Sequence, residues 1–273
     1  MSYFKILGLE KEPFSTSPDP EFFYQSREHQ AALTRLMIEI RLRRGLSVIL
    51  GDVGTGKTTL SRKLFQMLRE REDTLFFMIL DPTYDTEDVF VESLLRTFQI
   101  QIDKPQPSLL DMKEAIKKYL FAKGVQENKT IILLVDEAQK LNQTSLEVLR
   151  VLLNYETNEF KLLQLVLLAQ LELLPKIREM KNLMDRISMK YIINPLDDVE
   201  TKEMIEFRIR QAGYSSSIPL FKEDAIVEIY QVTQGYPRRI AMLCHKALKA
   251  LVMESRIVVD RDVVRKIVAE EVV

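Results

Sequence analysis

A run of eight residues at positions 51–58 carries the clearest chemical signal in this chain. It fits the pattern G-x-x-x-x-G-K-[ST] in full, with an apolar run before it and a helical pattern after it. A strand, a glycine-rich turn and a helix start direct several backbone N–H groups at one point, where the helix dipole adds its positive end. The motif predicts a nucleoside triphosphate site formed by Gly51, Asp52, Val53, Gly54, Thr55, Gly56, Lys57, Thr58 and the following Thr59.

Two side chains of this motif predict the chemistry at the phosphates. Lys57 is expected to reach the β- and γ-phosphates, and the Thr58 hydroxyl is expected to ligate Mg²⁺. The expected cofactor set is therefore a triphosphate together with Mg²⁺.

A pair of carboxylates forms the second chemical element. Asp136 and Glu137 directly follow the apolar residues 131–135, which predict a fully buried strand. In parallel sheets, ligands lie at the carboxyl ends of the strands. Asp136 is therefore expected to hold Mg²⁺, usually through water, and Glu137 to polarise a water for attack on the γ-phosphate.

The rest of the chain predicts the elements that must position these residues. Short apolar runs alternate with amphipathic helical patterns, which is typical of a parallel sheet covered by helices on both faces. The predicted strands cover residues 47–50, 75–80, 131–135, 163–169 and 189–193. The pattern changes after Asn194-Pro195-Leu196, where four helices and no further strand are predicted. We therefore expect an α/β domain over residues 1–195 and a small helical domain over residues 196–273.

Composition narrows the class of protein. The chain has 39 basic and 40 acidic residues, so its bulk charge does not indicate a nucleic-acid binder. Cys244 is the single cysteine, which excludes an intramolecular disulfide and suits a reducing compartment. The apolar runs fall far short of the roughly 18 residues that span a membrane, and the start does not resemble a signal peptide. A soluble, cytoplasmic protein is expected.

The arrangement of the two motifs is similar to that of one division of P-loop ATPases. A further predicted strand separates Lys57 from Asp136, and a glutamate follows the aspartate directly. These features resemble the division that includes the AAA+ proteins, and they favour ATP hydrolysis over phosphoryl transfer to a metabolite.

The AAA+ resemblance implies roles for three further residues. Gln170 ends the fourth strand, where that family places a polar sensor for the attacking water. Arg186 precedes the last strand, where the family's arginine finger for a neighbouring subunit commonly lies; a surface pair with Asp185 stays open as an alternative. Arg238 begins a lid helix in the manner of a sensor-2 arginine. Arg239 competes with it, but the Gly-x-Pro-Arg arrangement favours Arg238.

The N-terminal segment narrows the family further. It contains Tyr3-Phe4, Leu7-Gly8-Leu9, Pro13-Phe14, Pro18-Asp19-Pro20 and Phe22-Phe23-Tyr24. These groups resemble the opening of the general secretion pathway protein A ATPases, whose relatives include ATPases of mannose-sensitive pilus biogenesis. The match continues through Asp136-Glu137-Ala138-Gln139, Leu149-Arg150, Asn194-Pro195-Leu196 and Gly235-x-Pro237-Arg238.

The resemblance implies a P-loop NTPase αβα sandwich of AAA+ type, with a five-stranded parallel sheet and an all-helical lid. ATP and Mg²⁺ are expected between the domains and at a subunit interface of a homo-oligomer, with Phe14, Pro18 and Tyr24 near the adenine. Two features depart from the family. Ala169-Gln170-Leu171-Glu172-Leu173 stands where members often have Gly-Gln-Pro-Glu-Leu, and the sequence stops at Val273, where secretion-type members commonly continue into a membrane span. A fragment and a stand-alone member are both consistent with this.

Three functions compete at this level. The first is a motor or assembly ATPase for envelope secretion or pilus biogenesis, recruited to the inner membrane by a partner. The second is a DNA-associated regulator of transposition type, which would explain Arg41, Arg43 and Arg44 but which the near-neutral net charge disfavours. The third is a nucleotide-gated binding module with little turnover, against which the intact acidic pair argues.

Overall fold

The computed structural model describes residues 2–17 and 19–271, and groups them into two compact units. The sheet unit comprises residues 29–52 and 60–193. The helical unit comprises the described residues of 1–28, 53–59 and 194–273. Pro18, one of the residues expected near the adenine, lies outside the described residues.

A five-stranded parallel sheet forms the centre of the sheet unit. Its strands are β1 (Leu46–Gly51), β2 (Thr74–Ile79), β3 (Thr130–Val135), β4 (Leu163–Ala169) and β5 (Ile187–Ile193). Their order is β2-β3-β4-β1-β5, and every neighbouring pair is parallel. In the register of the central strands, Val48 lies opposite Leu167, and Leu133 lies opposite Leu165. The predicted five-stranded parallel sheet is confirmed.

Helices cover both faces of this sheet, because its central strands are apolar at consecutive positions. Leu46, Val48 and Leu50 point to one face and are fully buried. They join a core that includes the helices α4 (Glu87–Thr97), α5 (Leu109–Phe121), α6 (Gln143–Leu152), α7 (Leu173–Glu179) and α8 (Lys181–Met184).

Residues on the opposite face of these strands, such as Ile49 and Ile132, are also fully buried. The other buried apolar side chains of this unit that lie on helices belong to α2 (Arg27–Arg41) and α3 (Lys57–Leu68), which therefore cover that face. The short helices α7 and α8 were not predicted, since neither is long enough to show a full amphipathic period.

The helical unit contains the four predicted C-terminal helices. They are α9 (Asp198–Gln211), α10 (Glu223–Thr233), α11 (Pro237–Met253) and α12 (Arg261–Glu271). A capping box between Asp197 and Glu200 begins α9. Gly235 precedes α11 with φ +72°, and a Cβ built there would lie 1.9 Å from the carbonyl oxygen of Leu196, so this turn requires glycine.

The described N-terminal residues belong to the helical unit. They include a short helix, α1 (Tyr3–Ile6), and the buried side chains Leu9, Phe14 and Phe22. These three side chains share one apolar core with α9–α12, which removes their surface from water. The division at residue 195 into a nucleotide-binding domain and a lid stays a prediction.

Among the described residues, no helix has both the length and the apolar character needed to cross a membrane.

Candidate nucleotide site

The glycine-rich motif forms the loop between β1 and α3. Strand β1 ends at Gly51, and α3 begins at Lys57, with Thr58 and Thr59 in its first turn. Gly54 has φ +84° and Gly56 has φ +97°, in the left-handed region that glycine adopts without a steric penalty. The first N–H groups of a helix have no intrahelical partners, so the start of α3 is suited to bind an anion.

Burial within this loop is uneven. Lys57 is 6% exposed and Thr55 is fully buried, whereas Val53 is 58% exposed. Lys57 stands in the first turn of α3, where its positive charge would add to the helix dipole in binding an anion. The position of Lys57 is therefore suited to the phosphate role predicted for it.

The first turn of α11 contacts this loop within the helical unit. The backbone N–H of Arg238 donates to the carbonyl oxygen of Gly54 at 3.2 Å, and a Cβ built on Gly54 would lie 2.9 Å from the Cβ of Arg238. The guanidinium of Arg239 instead lies over the ring of Tyr236, 4.7 Å from its centre. Of the two competing arginines, the structure brings Arg238 to the phosphate loop.

The N-terminal segment is hydrogen-bonded to α9 through Tyr24. The hydroxyl of Tyr24 donates a hydrogen bond to Glu203. Burial is the larger cause that raises the pKa of this phenol, and the hydrogen bond to Glu203 raises it further. Phe14 is 1% exposed, so its ring is part of the core rather than of an open surface. The proposed place of Tyr24 near an adenine stays a prediction.

Arg208 is a buried residue of α9 to which the sequence assigned no role. It is 8% exposed, donates to the carbonyl oxygen of Ser15 at 3.0 Å, and lies 5.9 Å and 5.8 Å from the ring centres of Phe14 and Phe22. Burial lowers the pKa of this guanidinium to about 10. Its spacing of four residues from the buried Met204 was the signal that it faces the core.

The acidic pair lies at the carboxyl end of β3. Asp136 is 2% exposed, and its N–H donates to the carbonyl oxygen of Ile79 at 2.8 Å. Its Oδ1 accepts the N–H of Glu137 at 2.9 Å. Glu137 has φ +52°, a left-handed conformation that is costly for a residue with a side chain and is often found at functional sites.

A glutamine links this pair to the next strand of the sheet. Gln139 is 7% exposed; its Nε2 donates to Oε2 of Glu137 at 2.6 Å. Its Oε1 accepts the backbone N–H of Gln170 at 3.1 Å, and Gln170 directly follows β4. In the sequence, Gln139 stood out only as part of a family resemblance. No local pattern indicated that its side chain makes these two hydrogen bonds.

Three predicted elements share one edge of the sheet. Strands β3, β4 and β1 are consecutive and parallel, so their carboxyl ends lie together. Gly51 and Asp52, Asp136 and Glu137, and Gln170 stand at those ends.

Arg186 lies at the opposite edge of the sheet, directly before β5. Its guanidinium donates to Oδ1 of Asn154 at 2.6 Å and to the carbonyl oxygen of Asn182. The structure therefore does not bring Arg186 together with the acidic pair of its own chain.

The available ligand atoms are compatible with Mg²⁺. Thr58 has a hydroxyl oxygen and Asp136 a carboxylate oxygen, the hard donors that this ion prefers. Within residues 2–17 and 19–271 there is no cluster of three or more histidine, cysteine, aspartate or glutamate side chains that could hold a metal. Few protein ligands are expected for Mg²⁺ bound with a nucleotide, since phosphates and waters complete its shell.

Comparison with known proteins adds the family context. The model of a family described as AAA domain matches residues 40–177. General secretion pathway protein A of Aeromonas hydrophila is 36% identical over 250 residues, which is 91% of this chain and 44% of that protein. The chain thus spans less than half the length of this curated relative.

Solved structures with a similar fold are more distant in sequence. Pyrobaculum aerophilum Cdc6p has a TM-score of 0.68 at 15% identity, covering 90% of this chain and 67% of that one. The ADP form of Aeropyrum pernix ORC2 has a TM-score of 0.66 at 18% identity, covering 94% and 72%. The Thermotoga maritima RuvB Holliday junction branch migration motor has a TM-score of 0.59 at 15% identity, covering 94% and 72%. At such identities these similarities show the fold alone.

Proposed function

The chain belongs to the AAA family of ATPases, and we propose that it hydrolyses ATP in order to change its subunit and partner contacts in a bacterial secretion or pilus-biogenesis system. The observation that carries the hydrolytic part is the shared sheet edge, where β1, β3 and β4 end in the phosphate loop, the acidic pair and Gln170.

The phosphate loop is the proposed binding element. Its N–H groups and Lys57 would hold the phosphates, and Thr58 and Asp136 are the residues that would supply oxygens to Mg²⁺. When bound, Mg²⁺ would neutralise negative charge on the phosphate oxygens.

Glu137 and Gln170 are the residues proposed to act on water. The Glu137 carboxylate accepts a proton from the attacking water, and the Gln170 amide orients that water. Supporting this assignment, Gln139 bonds both to the Glu137 carboxylate and to the backbone of Gln170.

Arg238 and Arg186 are proposed to couple the reaction to conformation. Arg238 senses the phosphates from the lid, which its contact with Gly54 supports. Arg186 serves the nucleotide of a neighbouring subunit, which would explain its place at the far edge of its own sheet. The active form is then a homo-oligomer with ATP at its interfaces.

The secretion role rests on the relative named general secretion pathway protein A, and it is a proposal because that protein extends well beyond the matched region. We place the chain at the cytoplasmic face of the inner membrane, held there by an envelope partner. Deleting its gene should reduce export or surface pili, and the wild-type gene but not its Glu137→Gln form should restore them. Full restoration by that variant would show that hydrolysis is not needed.

Replacement of Glu137 by Gln tests the chemistry directly. The variant keeps the size of the side chain but cannot accept a proton, so we expect kcat to fall by roughly 10²-fold or more. ATP affinity should stay within about threefold, since the phosphate loop is intact. Glu159→Gln, an exposed glutamate of a loop in the sheet unit, is the matched control and should behave as wild type. Undiminished hydrolysis in Glu137→Gln would overturn the mechanism.

A further inference from the structure

Gln139 occupies an unusual place beside the acidic pair. It belongs to a short 3₁₀ turn, Ala138–Lys140, that follows the pair, and its side chain is buried although it is a primary amide. A buried amide needs partners for both its oxygen and its nitrogen. Here both partners, Glu137 and Gln170, are residues with a proposed role in the reaction.

The two bonds determine how the amide is oriented. A carboxylate can only accept, so the group facing Glu137 Oε2 must be the NH₂ of Gln139. A backbone N–H can only donate, so the group facing Gln170 must be the oxygen. Rotating the amide by 180° would break both bonds, so the amide has one satisfied orientation.

The turn that carries Gln139 is itself braced. Lys176 of α7 donates to the carbonyl oxygen of Gln139 at 2.6 Å and to that of Leu141 at 3.1 Å. These bonds reach the backbone of the turn and leave the Gln139 side chain untouched. A substitution at Lys176 can therefore weaken the turn while leaving both hydrogen bonds of the Gln139 amide in place.

The geometry points to Gln139 as a positioning residue for ATP hydrolysis: its amide holds the Glu137 carboxylate in the orientation that receives the proton of the attacking water. The inference rests on the proposed function. Glu137 is fixed at its backbone by the bond to Asp136 Oδ1 and at its carboxylate by Gln139. A carboxylate has two oxygens, so a bond at Oε2 leaves Oε1 able to accept from water.

The hydrogen bond from the Gln170 N–H to the Gln139 amide connects the acidic pair to the neighbouring strand. Gln139 and Gln170 are 31 residues apart, and they stand at the ends of neighbouring strands. Through one amide, the residue proposed as general base is held at a set distance from the strand end that presents the water-orienting Gln170. Loss of that link would let the carboxylate rotate, and small misplacements of a reacting group commonly reduce rates by about 10²-fold.

Gln139→Met is the main test, because methionine has a similar volume and supplies neither strong bond. We expect kcat to fall about 10- to 100-fold, with the dissociation constant of ATP within about threefold of wild type. Lys176→Met is the matched control; it weakens the turn and should keep kcat within about threefold. An equal loss in Lys176→Met would assign the effect to the turn and overturn the inference.

A double-variant cycle separates positioning from a general structural role. If Gln139 acts through Glu137, then Gln139→Met should cause no further loss in single-turnover rate when Glu137 is already Gln. A further loss as large as in the wild-type background would overturn the inference, as would a fully active Gln139→Met. If Gln139→Met does not fold, Gln139→Asn serves instead, since its shorter side chain cannot span both partners.

Failure of the proposed function would look different. A wild-type chain that binds ATP without hydrolysing it would remove the proposed function and this inference together. If the wild-type chain hydrolyses ATP and the Gln139→Met variant is equally active, the role inferred for Gln139 fails and the proposed function stands.

Discussion

Arg238 and Gly54 meet within the helical unit, where the first turn of α11 contacts the phosphate loop. The arginine donates its backbone N–H to the glycine carbonyl at 3.2 Å, and its Cβ occupies the space a Gly54 side chain would need. Position 54 therefore requires glycine for two reasons. Its φ of +84° is unfavourable for other residues, and the Cβ of Arg238 leaves no room for a side chain.

Replacing Gly54 by Ala should reduce both stability and ATP affinity. The positive φ should lower the free energy of unfolding by about 1–2 kcal/mol, and displacement of Arg238 should weaken ATP binding by about tenfold (about 1.4 kcal/mol) or more. Gly8→Ala is the control, because Gly8 has φ +77° but nothing within 4 Å of a built Cβ. It should lose similar stability, measured in urea, and keep its ATP affinity in titration. Equal ATP affinity in both variants would contradict the role of this contact.

Arg238→Ala and Arg239→Ala should differ in catalysis. Arg238 lies against the phosphate loop, so its loss should lower kcat about tenfold or more. Arg239 lies over Tyr236, and its loss should change kcat by less than about threefold. Steady-state kinetics of the two variants measure this. The reverse ranking would identify Arg239 as the sensor.

Arg186→Ala should abolish the dependence of specific activity on protein concentration. An arginine supplied by a neighbouring subunit can accelerate hydrolysis by roughly 10³-fold, so wild-type activity should rise as subunits associate. The variant should keep the low rate of the isolated subunit. Arg178→Ala, an exposed arginine of α7, should respond to concentration as wild type does. Identical behaviour of the two variants would exclude the interface role.

The stability of the helical unit should fall in mild acid because of His245. Burial is the main cause that lowers the pKa of this imidazole, and the positive charge of the nearby Lys249 lowers it further. The negative charge of Glu12 acts in the opposite direction. The folded-state pKa lies below the unfolded value of about 6.5. The unfolded chain therefore binds the proton first, so stability is present above pH 6.5 and is lost as the pH falls through the folded pKa.

His245→Gln should flatten this loss when unfolding is measured between pH 7.5 and 5.5. Glu12→Gln should deepen it, because the carboxylate 2.9 Å from Nδ1 supports the charged imidazole. Stability curves of the three proteins with the same slope against pH would show that His245 does not carry the effect.

Several features of this chain could be predicted because they are local. The glycine pattern of residues 51–58 needs only neighbouring positions to define a turn before a helix. The apolar runs at 131–135 and 163–169 predicted strands to within about a residue of β3 and β4, since burial on both faces makes consecutive positions apolar. The roles predicted for the carboxylates after β3 followed from the rule that parallel strands place ligands at their carboxyl ends. The role proposed for Gln170 came from the AAA+ resemblance.

Contacts between distant positions were decided by the tertiary structure. The order β2-β3-β4-β1-β5 brings three strand ends together, and no local pattern encodes that order. The same holds for the bond from Gln139 to Gln170, for the contact of Arg238 rather than Arg239 with Gly54, and for the packing of Phe14 and Phe22 among the C-terminal helices. The sequence by itself determined which residues could do the chemistry, because residue type and periodicity are local properties. Only the folded chain decided which of them meet, because that depends on how apolar surfaces far apart in sequence are buried together.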